Sequence, residues 1–210
     1  MSVYKYPRTP HLPWSASVAS DDIRIIDAAQ FAGLEVVVTE KMDGENTSLY
    51  CDRMHARSVD SRHHASRDWV KQWYGQFQHE IPLGWRVCGE NMYAQHSVVY
   101  DALDSYFYGF SIWNEQNICL SWAETLEWFA LWAIHVPPVL YQGIWDEAAI
   151  RALQVDTKNS EGYVVRSTRA FHYAEFANHI AKWVRAKHVQ TSEHWMFAEI
   201  VPNALKEGTQ

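Results

Sequence analysis

The stretch Leu34-Glu-Val-Val-Val-Thr-Glu-Lys-Met-Asp-Gly-Glu-Asn46 decides the fold. Leu34–Glu40 is rich in β-branched residues and reads as a buried strand. It stops against Met42-Asp43-Gly44, a turn-like tripeptide. Lys41 is therefore left at a strand end, its backbone fixed and its amine partly desolvated at the mouth of a pocket. Desolvation and nearby positive charge lower an amine's pKa, and a neutral amine is a nucleophile. Alone, the Lys-x-Asp-Gly pattern reads better as a surface lysine after an edge strand.

Reading outward, Asn46–Asp52 is a returning strand and His55–Val59 another short one. Ser66 is placed to cap a helix with Trp69, Trp73 and Phe77 on one stripe. Gly84–Glu90 and Tyr106–Trp113 read as strands. Ser121-Trp-Ala-Glu124 is a capping-box pattern, opening a helix with Trp122, Leu126 and Phe129 on one side. Pro137 and Pro138 end that region, and Trp145–Gln154 reads as a second short helix. Gly162–Ser167 and His179–Ala186 read as strands near the end. Strands outnumber helices without a regular βαβ alternation, which predicts an α+β fold on antiparallel sheets.

Composition narrows the class. The 210 residues are 48% hydrophobic and 20% charged, which excludes a disordered tail, a collagen-like chain and a coiled coil. No run approaches the roughly 18 apolar residues of a membrane span. The start, MSVYKYPRTPHLPWS, has no continuous apolar stretch and does not read as a secretory signal. Cys51, Cys88 and Cys119 are odd in number and far apart, so the expectation is a reduced, cytoplasmic protein. Eleven His include His63-His64, His188 and His194, but none has zinc-ligand spacing with Cys. The 11 Trp provide apolar area for a core and faces on which a base could stack.

The formal charge of −7 argues at first against a polyanionic partner. It is unevenly spread. Residues 53–71 carry Arg53, Arg57, Arg62, Arg67 and Lys71 against Asp60 and Asp68. Residues 166–188 carry Arg166, Arg169, Lys182, Arg185 and Lys187 against Glu175 alone. These segments are either solvated surface or, if folding joins them, one positive face.

Five elements in order carry a resemblance. They are Lys41-Met-Asp-Gly44, Gly89-Glu90, Phe107–Phe110, Glu161-Gly162 and Lys182-Trp-Val-Arg185, each at or beside an expected strand. Together they resemble the ordered motifs of the covalent nucleotidyltransferases, the polynucleotide ligases and mRNA capping enzymes. Asn46, the Ala-Arg57-Ser segment and the run from Gly89 to Asp101 look most like RNA ligases of the second bacteriophage type. The resemblance implies an ATP-grasp-like adenylyltransferase domain spanning residues 1–210, with no OB domain, since only 25 residues follow Arg185. It implies an ATP-dependent RNA ligase using Mg²⁺ or Mn²⁺. Lys41 would take AMP from ATP, pass it to a 5′-phosphate end of RNA, and a 3′-OH would then close the bond. Minimal DNA nick ligation and a catalytically reduced RNA-end-binding module are the alternatives.

The same resemblance implies roles. Lys182 and Arg185 would meet the α-phosphate and depress the pKa of Lys41, Glu161 would hold the metal, and Glu40 would lie with the nucleotide-binding residues. Phe110 would stack on adenine unless Tyr108 or Phe107 does so, and Glu90 would accept from the ribose. Arg57 would contact phosphate or the RNA end, and Asn46 would orient a metal-bound water or the activated end. Arg62, Arg67 and His96 would meet the RNA end, beside an end-healing protein partner. One departure stands out: where many ligases have Lys-x-Lys, Lys182 and Arg185 sit at i and i+3, on opposite faces of a strand. Lys187 shares a face with Arg185.

Overall fold

The computed structural model describes residues 2–16, 22–186 and 200–208. In chain order the strands and helices are β1 (Glu35–Lys41), β2 (Glu45–Leu49), β3 (Met54–Ala56), α1 (Asp68–Tyr74), β4 (Arg86–Asn91) and β5 (Phe107–Trp113). There follow β6 (Ile118–Cys119), α2 (Trp122–Leu131), β7 (Val139–Ile144), α3 (Glu147–Arg151), β8 (Gly162–Ser167), β9 (Phe171–His172), α4 (Phe176–His179) and β10 (Ile180–Val184). The described strands form a four-stranded sheet, β10-β8-β1-β7, and a six-stranded sheet, β3-β2-β4-β5-β6-β9. Every pairing between these strands is antiparallel. The α+β expectation on antiparallel sheets holds.

The deciding stretch does more than form a strand. β1 belongs to the smaller sheet and β2 to the larger, so the turn at residues 42–44 carries the chain from one sheet to the other. Side-chain alternation divides β1. Val36 and Val38 enter an apolar core with Phe31, Ile150, Tyr163 and Val165, while Val37, Thr39 and Lys41 face a cavity. On the far side of the larger sheet, Leu49, Val87, Phe107 and Ile112 pack against Phe129 and Trp132 of the α2 region. Between the sheets lie Cys88, Trp113, Phe176 and Ile180.

The crossing turn is held by a distant loop. Asp43 Oδ2 accepts from the Ser97 amide (2.9 Å), the Ser97 hydroxyl (2.7 Å) and the Val98 amide (2.9 Å). The Tyr100 hydroxyl accepts from the Asp43 amide at 3.1 Å. Gly44 runs so close to β4 that a Cβ would collide with the Asn91 carbonyl. The segment after β4 is in turn tied to the C-terminal residues: Asn203 Nδ2 donates to the Met92 carbonyl (2.7 Å) and its Oδ1 accepts from the Tyr100 amide (2.9 Å).

Several expected elements shift. His64, rather than Ser66, provides the first cap: its side chain accepts from the Ser66 amide at the start of a 3₁₀ turn that leads into α1. α1 stops before Gly75, so Phe77 lies beyond the helix, although Trp73 still meets both Trp69 (5.7 Å) and Phe77 (5.0 Å). The Ser121–Glu124 capping box forms, but Thr125 takes the buried position expected for Leu126, which is 37% exposed. The helix expected over Trp145–Gln154 shrinks to α3, capped by Asp146, while Trp145 stacks on Phe31 at 4.9 Å. β6, β7 and β9 add to the expected strands, and His179 ends α4 instead of opening β10.

Gly162 pairs with Lys41 on one side and Val184 on the other. Its φ is 153°, and a Cβ would collide with the Trp183 carbonyl. Gly162→Ala is therefore expected to cost about 1–3 kcal/mol of stability, read from urea midpoints, because backbone strain is added to a displaced β10.

Candidate active site

At the end of the molecule where the chain crosses between sheets, a cavity of about 980 Å³ opens. Lys41 from β1, Glu161 just before β8, Lys182 from β10 and Glu90 from β4 all reach it. The sheet register explains the convergence. Lys41 pairs with Gly162, which brings Glu161 alongside, and Val164 sits between Thr39 and Lys182 in one row across three strands. The Lys41 ammonium donates to the Glu161 carboxylate in a short ion pair, with Lys41 22% and Glu161 7% exposed.

This corrects the expectation that neighbouring cations depress Lys41. Burial does work to lower its pKa, but Glu161, Glu90 and Asp43 outweigh burial and hold the amine above its ordinary value. The depressed lysine is Lys182. Burial and the charge of Lys41 push it down, against Asp22 (3.8 Å away) and Glu161. Burial pushes Glu90 up to about 8, with Glu161 and Asp43 adding to the effect and Lys41 opposing it. Burial likewise raises Glu40, against a hydrogen bond from Ser160.

Glu40, Asn46, Arg57, Phe110, His96 and Arg62 also line the cavity. Asn46 sits opposite Glu90 in the β2–β4 register, and its buried Oδ1 has no hydrogen-bond partner. Phe110 lies edge-on to Tyr6 at 5.2 Å. Its carbonyl accepts from Arg166 (3.0 Å), a buried guanidinium that also donates to the Leu120 carbonyl and lies over Trp122. Tyr108 instead packs with Met42, Met92 and Leu103, and Phe107 is in the core behind the larger sheet. Of the three aromatics, Phe110 alone lines the cavity. Burial holds His96 below the ordinary histidine range.

Two expected contacts are placed differently. Arg185 follows the last residue of β10 and does not line the cavity, as the i, i+3 spacing on a strand dictates. Its amide donates to the Glu161 carbonyl at 3.1 Å, so it braces the backbone beside the ion pair. Arg67 is not an open RNA contact. Its guanidinium is buried, grips both carboxylate oxygens of Glu45 and donates to the Arg62 carbonyl. The basic run conceals this because Glu45 lies far away in sequence. Lys187, His188 and His194 lie outside the described residues. Sequence reasoning also missed Arg8 and Asp22, which carry no motif of their own, and read Arg166 only as one charge of a basic segment.

For a divalent ion the donors on hand are hard oxygens: Glu161, Glu90 and the unpartnered Asn46 Oδ1, converging at one end of the cavity. Among the described residues no group of three or more His, Cys, Asp or Glu is placed to hold a metal alone. One or two carboxylates completed by phosphate oxygens fit Mg²⁺ or Mn²⁺ better than a full protein cage. Glu161 is the carboxylate best placed to share such an ion.

Arg67→Ala would leave Glu45 charged, buried and unpaired. It should cost about 3–5 kcal/mol in denaturant unfolding. The Glu90 carboxyl gives a second expectation. An unfolded glutamate releases its proton near pH ~4.3. From there to about 8 the folded protein keeps a proton that the unfolded chain has lost, so stability falls as pH rises. Glu90→Gln should abolish that slope and be more stable than the parent at about pH 8, seen by comparing urea midpoints at about pH 5 and 8.

Comparison with known proteins matches residues 34–184 to the family described as RNA ligase. Among solved structures, a Naegleria gruberi RNA ligase variant with ATP and Mn is 16% identical with a TM-score of 0.50, over 75% of this chain and 51% of that one. An archaeal ATP-dependent RNA ligase is 15% identical with a TM-score of 0.56, over 87% of this chain and 48% of that one. The chain thus spans about half the length of these structures, and at such identity the likeness establishes the fold. No curated protein sequence matches the chain. The span from β1 to β10, with the Lys41–Glu161 pair at its centre, falls inside the matched residues, and the chain belongs to the RNA ligase family.

Proposed function

We propose that the protein is an ATP-dependent RNA ligase that works through a lysyl-AMP on Lys41. The observation that carries this reading is the Lys41–Glu161 pair with Lys182 beside it, at the mouth of a cavity large enough for a nucleotide. The solved relatives are named as RNA ligases, one with ATP and Mn and one as ATP-dependent, which supports ATP as the substrate nucleotide.

In the first step the Lys41 Nζ–P bond forms at the α-phosphate and the bond to pyrophosphate breaks. The amine must first lose its proton. Glu161 holds that proton in place while it pairs with Lys41; a divalent ion held by Glu161 would weaken that hold, and burial, which works to lower the Lys41 pKa, would then help the ammonium release its proton to solvent. Lys182 would neutralise charge on the α-phosphate, Phe110 would stack on the base and Glu90 would accept from the ribose. A bound Mg²⁺ or Mn²⁺ supplies charge neutralisation at the phosphates. AMP then passes to a 5′-phosphate, and a 3′-OH displaces it. Arg57, Arg62 and His96 line the cavity where an RNA end would approach.

The N- and C-terminal segments both pack onto the matched span, which supports reading 1–210 as one nucleotidyltransferase unit. No described helix is long and apolar enough to cross a membrane. A cytoplasmic site of action and an end-healing partner that prepares 5′-phosphate and 3′-OH ends complete the proposal.

Incubation with ATP labelled at the α-phosphate and Mg²⁺ or Mn²⁺ should give a covalent, acid-labile adduct, absent in Lys41→Ala. An adduct that survives the substitution would overturn the assignment. Transfer from the isolated adduct to nicks with ribose or deoxyribose 3′-OH strands separates RNA from DNA joining. A protein that binds RNA ends but never labels would be an end-binding module.

A further inference from the structure

Residues 2–16 form an N-terminal strap that precedes the family-matched span and runs along its last strand. The Leu12 amide donates to the Lys182 carbonyl (2.8 Å) and the Lys182 amide to the Pro10 carbonyl (2.9 Å). On the strap's other side, the His11 amide donates to the Ile23 carbonyl (2.7 Å) and the His11 carbonyl accepts from the Ile25 amide (2.9 Å). The smaller sheet is thereby extended past β10, and Asp22, next to Ile23, is brought beside Lys182. Its Oδ1 lies 3.8 Å from the Lys182 ammonium. Lys182 lines the cavity, whereas Asp22 is not among the lining residues and meets the lysine from behind.

Asp22 is aimed as well as placed. Its second oxygen, Oδ2, lies 3.0 Å from His11 Nε2, and His11 Nδ1 lies 2.8 Å from the Ser15 hydroxyl. An ionised carboxylate only accepts, so Nε2 carries the proton facing Asp22. Burial holds His11 below the ordinary histidine range, so the ring is neutral and its Nδ1 accepts from Ser15. The Ser15 hydroxyl in turn accepts from the Val184 amide at 3.0 Å. This chain of contacts starts on β10 at Val184 and returns to β10 at Lys182, through two side chains, Ser15 and His11, that are buried. The acids that act most strongly on Lys182 are Asp22 and Glu161, and Glu161 is committed to Lys41. Each cavity lysine thus has a carboxylate of its own. Without Asp22, two ammonium groups that repel each other would compete for Glu161.

We propose that Asp22, oriented by His11, is a positioning residue for Lys182: it keeps that ammonium apart from Lys41 and aimed at the α-phosphate position. This rests on the ligase reading for its biological meaning. Asp22 touches no reacting atom, and Lys182 neither forms nor breaks a bond in the transfer. None of the five motifs contains Asp22 or His11, since both precede Lys41 in the chain.

The test uses the full chain with Asp22→Asn, which removes the charge but leaves an oxygen for His11, and Asp22→Glu, which keeps the charge; melting curves monitor the fold. The first measurement is single-turnover adduct formation as a function of ATP. Asp22→Asn should slow it about tenfold or more at saturating ATP, the scale of one lost charge-assisted contact. The KM for ATP should stay or fall, because a negative charge has left the neighbourhood of an anion site, whereas a damaged pocket would raise it. Asp22→Glu should recover part of the rate. The second measurement is trace acetylation without ATP, read by mass spectrometry with the exposed Lys71 and Lys158 as references. An ammonium held by a carboxylate is a poor nucleophile, so Asp22→Asn should raise labelling at Lys182 about threefold or more, with the references unchanged. A rate within about twofold of the parent, a raised KM, a loss in Asp22→Glu equal to that in Asp22→Asn, or Lys182 labelling within about twofold would overturn the proposal. If the parent forms no adduct but Lys182 labelling still rises in Asp22→Asn and not in Asp22→Glu, the positioning stands and the ligase reading falls.

Discussion

The structure turns on the pairing of Lys41 with Glu161 where one strand leaves its sheet for another. Neither residue could be there independently. Lys41 reaches the cavity because β1 alternates Val37, Thr39 and Lys41 toward it while Val36 and Val38 fill the core behind. Glu161 meets it because Gly162 is the register partner of Lys41 and allows β10 to approach without a side chain between. A buried ion pair of this kind contributes little net stability, because the cost of desolvating both charges offsets their attraction. Its value is positional: it parks the amine on the cavity side, in a state that changes as soon as Glu161 finds another partner.

The supports of that pair come from distant segments. Asp43 spends one carboxylate oxygen on three donors from Ser97 and Val98, so the crossing turn is fixed by the loop after β4. That loop is fixed by Asn203 near the C-terminus. On the opposite wall, the N-terminal strap binds Lys182 through its backbone on both sides. Residues that look unrelated along the chain thus hold the two lysines from two directions.

How much of this the sequence discloses depends on whether the signal is local. The β-branched run before Lys41, the glycine of the turn and the Ser121–Glu124 box are local, and each forms as read. β7 follows Pro137 and Pro138 at a sheet edge, with both faces partly exposed, so no alternation marks it. β6 and β9 have two residues each, too short for any period. Arg67 looks like one more charge in a basic run, because its partner Glu45 is brought to it only by the packing of β2 against the segment before α1. The direction of the Lys41 shift was hidden for the same reason. Neighbouring cations were visible in the motifs, whereas the weight of Glu161, Glu90 and Asp43 together emerges only when three loops and strand ends meet.

The net charge of −7 also misleads if taken as a property of the whole surface. Screening in physiological salt confines exposed charges to about 8–10 Å, so a polyanion senses the cavity and its rim, not the acidic stretch from Asp101 to Glu161. At the rim stand Arg8, Arg57 and Arg62, with Lys41 and Lys182 further in. The carboxylates there are not scattered among them: Glu161 is committed to Lys41, Asp22 faces Lys182, and burial presses Glu90 toward its neutral form. Three of the acids nearest the lysines are thus paired or disposed to hold a proton. An acidic protein can thus gather several cations at one cavity without a basic surface elsewhere, provided the fold brings them together there.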